Sequence, residues 1–160
     1  MQEYDWNGWS DWTSLDGLAK SKFADVSQAA GAYAIATTKR PINRFSGIDK
    51  LGLIYVGESD WLPSRIKKFH KCITDGKTET HVGGWRYNLV KMKHRAPPET
   101  LIVRWFAVSS DEGKKGAKLA ESKLLYRYVY NHCELPPLNY SLDRTLMEKW
   151  NWSLVEPKGA

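Results

Sequence analysis

The sequence is poor in cysteine and has no long apolar segment. Only two cysteines, Cys72 and Cys133, occur in its 160 residues, and their spacing is not that of a metal site. We therefore expect the reducing environment of the cytoplasm. No apolar run approaches the about 20 residues of a membrane-spanning helix. The acidic, Trp-rich start lacks the basic and apolar regions of a signal peptide. These absences predict a cytoplasmic protein with no membrane partner.

Positive charge is concentrated in the middle of the chain, although the whole sequence carries only +6. Residues 1–30 contain two Lys/Arg and five Asp/Glu, residues 31–140 contain nineteen and ten, and residues 141–160 contain three of each. A basic domain attracts polyanions and releases their counterions on binding. The middle of the chain is therefore a candidate for nucleic-acid binding, although an ordinary lysine-rich surface has the same composition.

The length suits one domain with its own core. Near the start, Trp6, Trp9 and Trp12 recur every three residues, which favours packing of the indoles on the domain over stacking on bases. We divide the chain into a Trp-rich N-terminal extension, a central domain and a C-terminal extension: residues 1–30, 31–140 and 141–160.

Apolar periodicity predicts an α/β fold of the α+β type. Three β-rich runs predict strands: residues 33–38, 51–57 and 101–108. Three segments predict helices: one capped by Ser59 or Asp60 and ending near Cys72, and two over residues 85–93 and 117–132. We expect a small three-stranded antiparallel sheet flanked by helices, with a long loop over residues 38–50.

Two of these strands each carry a tyrosine beside a glycine. Tyr33 follows Gly31 by two residues, and Tyr55 precedes Gly57 by two. Because side chains alternate along a strand, pairing of the two strands can place both phenols on the same face. Taken alone, each tyrosine is an ordinary strand residue, and its most economical role is packing.

Three further polar residues follow the tyrosines in the chain. Arg65 lies on the helix after the second strand, and a guanidinium suits phosphate oxygens. Glu121 falls at helical spacing on or beside the apolar stripe of the last helix, where a carboxylate is costly unless it is paired or holds a cation. Taken alone, Glu121 reads as an exposed acid near a helix start, and Asn139 reads as a turn residue after two prolines.

The ordered set of these five residues resembles the GIY-YIG nuclease superfamily. The first family motif matches residues 31–33 with Ala in place of Ile, and the second matches residues 55–57 with Val in place of Ile. The family's helix arginine, metal-binding glutamate and late asparagine fall on Arg65, Glu121 and Asn139. The resemblance covers about residues 31–140. It departs from the family at Phe69, where many members have a histidine.

The resemblance implies hydrolysis of a DNA phosphodiester with one divalent cation, Mg²⁺ or Mn²⁺, held by Glu121. Tyr55 or Tyr33 would orient or deprotonate the attacking water, with His70 as the fallback base. Arg65 would neutralise charge on the transferring phosphate, and Asn139 would hold the geometry of neighbouring site residues.

Basic residues on and after the second helix are the predicted contacts to DNA phosphates. They are Lys67, Lys68, Lys71, His81, Arg86, Lys91, Lys93 and Arg95. The preferred hypothesis is a compact restriction-type enzyme that acts as a homodimer, since two-fold symmetry suits a palindromic site. A structure-specific or phage-type nicking nuclease is a close alternative. A non-catalytic nucleic-acid-binding module and an interaction protein that docks through its Trp-rich segment are further alternatives.

Overall fold

The fold, taken from a computed structural model, is described for residues 4–39, 41–76 and 80–143. Most of the predicted C-terminal extension, residues 144–160, lies outside this range. The strands are β1 (Thr13–Ser14), β2 (Gly31–Thr37), β3 (Ile42–Arg44), β4 (Gly47–Asp49), β5 (Leu53–Ser59) and β6 (Leu101–Ala107). The α-helices are α1 (Leu15–Lys20), α2 (Leu62–Asp75), α3 (Val82–Leu89) and α4 (Gly113–His132).

The main sheet is antiparallel and has the strand order β1-β6-β2-β5. The α+β class is confirmed, and the three predicted strands form β2, β5 and β6. The prediction of three strands was wrong, because Thr13 and Ser14 pair with Val103 and Ile102 at the outer edge of β6. A two-residue strand has too few side chains to produce an alternating pattern, so it could not be predicted from the sequence.

Both faces of the central strand are covered, since every residue of β2 is buried. On one face Tyr33 and Ile35 join the core beneath α1, α2 and α3. On the other face Ala34 packs with residues of α4, including Leu124 and Tyr128. The sheet is therefore a middle layer, and its two faces need different side-chain sizes: large aromatic residues towards α2 and alanines towards α4.

The predicted loop after β2 contains a second hairpin, formed by β3 and β4. Asp49 anchors its end: the carboxylate accepts hydrogen bonds from the backbone N–H groups of Leu51, Gly52 and Leu53. The Tyr128 hydroxyl of α4 also donates to it at 2.9 Å. The buried acid thus ties the hairpin, the start of β5 and α4 together.

The N-terminal tryptophans pack on the domain, as their spacing predicted. Trp6, Trp9 and Trp12 are partly buried against the α4-side core. The Arg104 guanidinium of β6 lies 4.3 Å from the Trp6 ring centre and 5.2 Å from that of Trp12. It also donates twice to the Ser10 carbonyl. A mostly buried cation of the sheet therefore holds this segment in place.

Helix boundaries differ from prediction by a few residues. The α2 helix follows Trp61, which makes no side-chain cap, and neither Ser59 nor Asp60 is its N-cap residue. Gly76, at φ 68°, ends it in the left-handed conformation that glycine adopts at low cost. The α3 helix starts earlier than predicted because His81 caps it. Among the described residues, no helix has the length and apolarity required to cross a membrane.

Candidate active site

The two phenols lie on one face of the sheet, as the alternation predicted. In the β2–β5 register Tyr33 is opposite Gly57, and Ile35 is opposite Tyr55. The ring centres of Tyr33 and Tyr55 are 5.9 Å apart, and the rings are tilted by 51°. The tyrosines are thus diagonal neighbours on adjacent strands, a separation that aromatic side chains can bridge.

Gly57 provides the space into which Tyr33 fits. A Cβ atom at this position would lie 2.6 Å from the Tyr33 hydroxyl oxygen and 2.8 Å from Cε1 of Tyr55. Both contacts are far shorter than packed atoms allow, and both phenols are buried between the sheet and α2. Steric crowding by the two phenols therefore explains why position 57 is a glycine.

We expect Gly57→Ala to displace the phenol pair. The added methyl group has no room in this packed site, so a loss of about 1–3 kcal/mol in the free energy of unfolding is expected. Urea denaturation measures this loss. Gly47→Ala is not a suitable control because its φ of 141° is strained for alanine. Gly17→Ala, at an exposed position of α1 where the nearest atom to an added Cβ is Ser14 Cβ at 3.3 Å, is the matched control. An unchanged midpoint for Gly57→Ala would contradict the steric argument.

Arg65 places a positive charge beside both phenols. It lies in the first turn of α2, which begins three residues after β5 ends. Burial raises the pKa of both tyrosines, most strongly for Tyr33, and the Arg65 charge opposes this shift in each. Arg65 Nε is buried and has no hydrogen-bond partner among the described residues. Arg65 itself does not line the cavity, so it acts on the site through its charge beside the two phenols.

Glu121 is half-buried on α4 and faces a cavity. Burial raises the pKa of its carboxyl group to about 7, and the negative charges of Glu58 and Asp143 add to this effect. Lys118 and Arg65 act in the opposite direction but do not outweigh it. The carboxyl therefore keeps its proton to a higher pH than an exposed glutamate, because burial and the neighbouring acids outweigh the two cations.

Asn139 fixes the edge of β5 beside the second tyrosine. Its Oδ1 accepts from the Val56 N–H at 2.9 Å, and its Nδ2 donates to the Val56 carbonyl at 2.8 Å. The preceding residue, Leu138, donates its N–H to the Ile54 carbonyl at 3.0 Å. The amide of Asn139 therefore replaces a neighbouring strand at the residue between Tyr55 and Gly57.

A cavity of about 450 Å³ lies beside several of these residues. Tyr55, Glu121 and Asn139 all line it. Arg86 lines it as well: its guanidinium stacks 3.2 Å from the Tyr140 ring centre and donates to the Leu138 carbonyl at 2.7 Å. Tyr33 is behind Tyr55 and fully buried. The five predicted residues thus form one assembly, in which Tyr33 and Arg65 support the phenol of Tyr55 that reaches the cavity.

The structure does not support the two histidine predictions. His70 lies on α2 and faces α1, where its Nε2 is 3.1 Å from Asp16 Oδ1, and its ring contacts Phe23. It does not line the cavity, so it is poorly placed as a base. His81 was predicted to contact DNA, but it is only 2% exposed. Its Nε2 instead lies 2.6 Å from the Tyr33 hydroxyl, inside the site.

Phe69, four residues after Arg65 on α2, belongs to the same aromatic cluster. Phe69 stacks on Tyr55, with ring centres 6.0 Å apart and planes within 19°. The His81 ring meets Phe69 edge-on at 5.2 Å. His81 therefore enters the same aromatic cluster from α3. Sequence reasoning missed this role, although the two glycines that follow His81 signal a close approach of the backbone.

Six of the predicted DNA-contacting side chains are exposed. They are Lys67, Lys68, Lys71, Lys91, Lys93 and Arg95. The seventh basic residue, Arg86, is half-buried in the cavity wall. The exposed cations therefore lie on α2 and on the segment that follows α3. The helices α2 and α3 are the two that enclose the phenol cluster.

The donor set around Glu121 limits how a metal ion could bind. Within residues 4–39, 41–76 and 80–143, no three or more His, Cys, Asp or Glu side chains form a group that could hold a metal ion. A single carboxylate completed by water and a substrate phosphate is nevertheless a common arrangement for Mg²⁺. The raised pKa of Glu121 fits this arrangement, because a cation would stabilise the ionised carboxylate.

Comparison with known proteins gives no relative. No protein-family model matches the chain, and no curated protein or solved structure matches it.

Proposed function

We propose that this chain is a divalent-metal-dependent endonuclease of the GIY-YIG type that hydrolyses DNA phosphodiester bonds. The observation that carries the proposal is one cavity lined by Tyr55, Glu121 and Asn139, with Arg65 charged beside the phenols. A purely structural sheet has no need for a half-buried carboxylate facing a cavity. A small sequence-specific restriction-type enzyme is the preferred form of this function.

Glu121 would hold the metal ion, Mg²⁺ or Mn²⁺, with water and the substrate phosphate as its other ligands. When bound, the ion supplies stabilisation of negative charge on the phosphate and the leaving oxygen. The chain supplies the remaining functions. Arg65 supplies positive charge beside Tyr55 that offsets the charge of the phosphate, Tyr55 orients the attacking water, and Asn139 keeps the Tyr55 segment of β5 in register.

The exposed cations on α2 and after α3 bind the DNA backbone in this proposal. Each phosphate contact releases counterions, so affinity should fall steeply with salt. A homodimer would bring two cavities to the two strands of a palindromic site. DNA is therefore the proposed partner, and a second copy of the chain is proposed for cleavage of both strands.

The direct test is incubation of the purified protein with supercoiled plasmid and Mg²⁺. We expect conversion to nicked and linear forms, and no conversion when EDTA is added. Discrete fragments would identify a restriction-type enzyme, whereas nicking without fragments would identify the nicking alternative. Binding without cleavage in both Mg²⁺ and Mn²⁺ would refute the proposal and leave a nucleic-acid-binding module.

The pKa of Glu121 gives a prediction that does not depend on cleavage. Its folded value of about 7 exceeds its ordinary value of 4.5, so the folded protein binds the proton more tightly than the unfolded chain. The resulting stabilisation is complete below the unfolded pKa and is lost as the pH rises through 7.

At pH 8 and without metal, Glu121→Gln is therefore expected to be more stable than the wild type by about 1–2 kcal/mol. Near pH 4.5 the two should unfold together. Mg²⁺ at pH 8 should raise the melting temperature of the wild type but not of the variant. Differential scanning calorimetry at both pH values measures this. A variant that is less stable than the wild type at pH 8 would show that Glu121 is held by other contacts.

A further inference from the structure

The buried imidazole of His81 has a defined tautomer. As the N-cap residue of α3, its Nδ1 accepts the backbone N–H of Gly84 at 3.2 Å. An imidazole nitrogen that accepts a hydrogen bond carries no proton, so in the neutral ring the proton is on Nε2. Burial, followed by the charge of Arg65, lowers the pKa of His81 to about 3. The ring is therefore neutral at physiological pH.

The Nε2 proton has one partner among the described residues, the hydroxyl of Tyr33 at 2.6 Å. With Nδ1 already accepting from Gly84, the direction of this bond follows: His81 donates and Tyr33 accepts. The two glycines of α3 allow the approach. A Cβ on Gly83 would lie 2.7 Å from the Tyr55 ring, so this turn of helix is seated directly on the phenol cluster.

The Tyr33 ring centre lies 5.9 Å from that of Tyr55, and the His81 ring meets Tyr55 edge-on at 5.5 Å. His81 therefore contacts both phenols, and its hydrogen bond to Tyr33 fixes the position of that hydroxyl inside the core.

Of the two phenols, only Tyr55 reaches the cavity. Tyr33 is 0% exposed, whereas Tyr55 is 6% exposed and lines the cavity with Glu121. We propose that His81 is a positioning residue that holds the Tyr33 hydroxyl by donating to it and leaves Tyr55 as the phenol that contacts the attacking water. This inference rests on the proposed function and assigns different roles to the two tyrosines.

Two substitutions of His81 separate a donor role from a structural one. Both His81→Gln and His81→Leu remove the imidazole and its stabilising contacts, but glutamine retains an Nε2–H donor at similar reach. We expect His81→Leu to lower kcat by about 10²-fold or more with little change in KM for DNA, and His81→Gln to stay within about tenfold of the wild type. Equal loss in the two variants would overturn the proposal.

The tautomer itself can be observed in the wild-type protein by long-range ¹H–¹⁵N correlation of the histidine ring. We expect a protonated Nε2 and a bare Nδ1 between pH 5 and 8, and a protonated Nδ1 or an imidazolium ion in that range would overturn the proposal. This readout needs no cleavage. A wild-type protein that does not cut DNA would refute the proposed function, while the spectrum would still decide the direction of the hydrogen bond between His81 and Tyr33.

Discussion

Replacement of Glu121 by glutamine is expected to reduce Mg²⁺-dependent cleavage by about 10³-fold or more while leaving DNA binding at low salt nearly unchanged. Glutamine has almost the same shape but no charge, so the site loses the carboxylate that is proposed to hold the cation. The exposed cations that contact phosphates are not altered. Plasmid cleavage and a gel-shift titration measure the two properties separately.

Glu99→Gln is the matched control, because Glu99 is an exposed carboxylate that does not line the cavity. It makes the same change in charge and should retain full activity. Turnover by Glu121→Gln in Mg²⁺ at more than a tenth of the wild-type rate would remove Glu121 from the mechanism. Loss of DNA binding together with cleavage would instead assign Glu121 a structural role in the DNA-binding surface.

Loss of the Tyr55 hydroxyl is expected to lower kcat by about 10²-fold to 10³-fold with a nearly unchanged melting curve. Phenylalanine keeps the ring that stacks on Phe69 and fills the space beside Gly83. It removes the oxygen that faces the cavity. Single-turnover cleavage and thermal unfolding of Tyr55→Phe measure both effects.

Tyr130→Phe is the control for Tyr55→Phe, since Tyr130 is half exposed on α4 and lies outside the cavity. It should behave as the wild type. Full activity of Tyr55→Phe would reduce Tyr55 to a packing residue. Tyr33→Phe should show a smaller loss of kcat than Tyr55→Phe, because Tyr33 does not reach the cavity. The reverse order would make Tyr33 the phenol that acts on water.

The phenol pair could be predicted because its geometry depends on local pattern. Period-two alternation places Tyr33 and Tyr55 on one face as soon as their strands are assumed to pair, and the register confirms this. The partial burial of Glu121 could also be predicted, because helical spacing places it beside the buried residues Leu124 and Leu125. In both cases the information lies within a few residues of the side chain concerned.

The histidines could not be assigned because their partners are distant in the sequence. His70 follows Phe69 by one residue, and one residue turns a helical side chain by about 100°. This rotation takes His70 away from Tyr55 and towards Asp16 on α1. His81 and Tyr33 are 48 residues apart in the sequence. Only the docking of α3 onto α2 brings them together, and no local periodicity reports that contact.

The outer edges of β6 and β5 are each covered by a segment, and the two segments come from opposite ends of the described chain. Residues 13–14 pair along β6, and the Leu138–Asn139 segment hydrogen-bonds along β5. The unpaired backbone groups of an exposed edge strand can pair with a strand of another chain. A shortened fragment that starts at β2 or stops before Leu138 would expose at least one of these strand edges. Oligomers of that fragment would then result from the truncation and not from the native assembly.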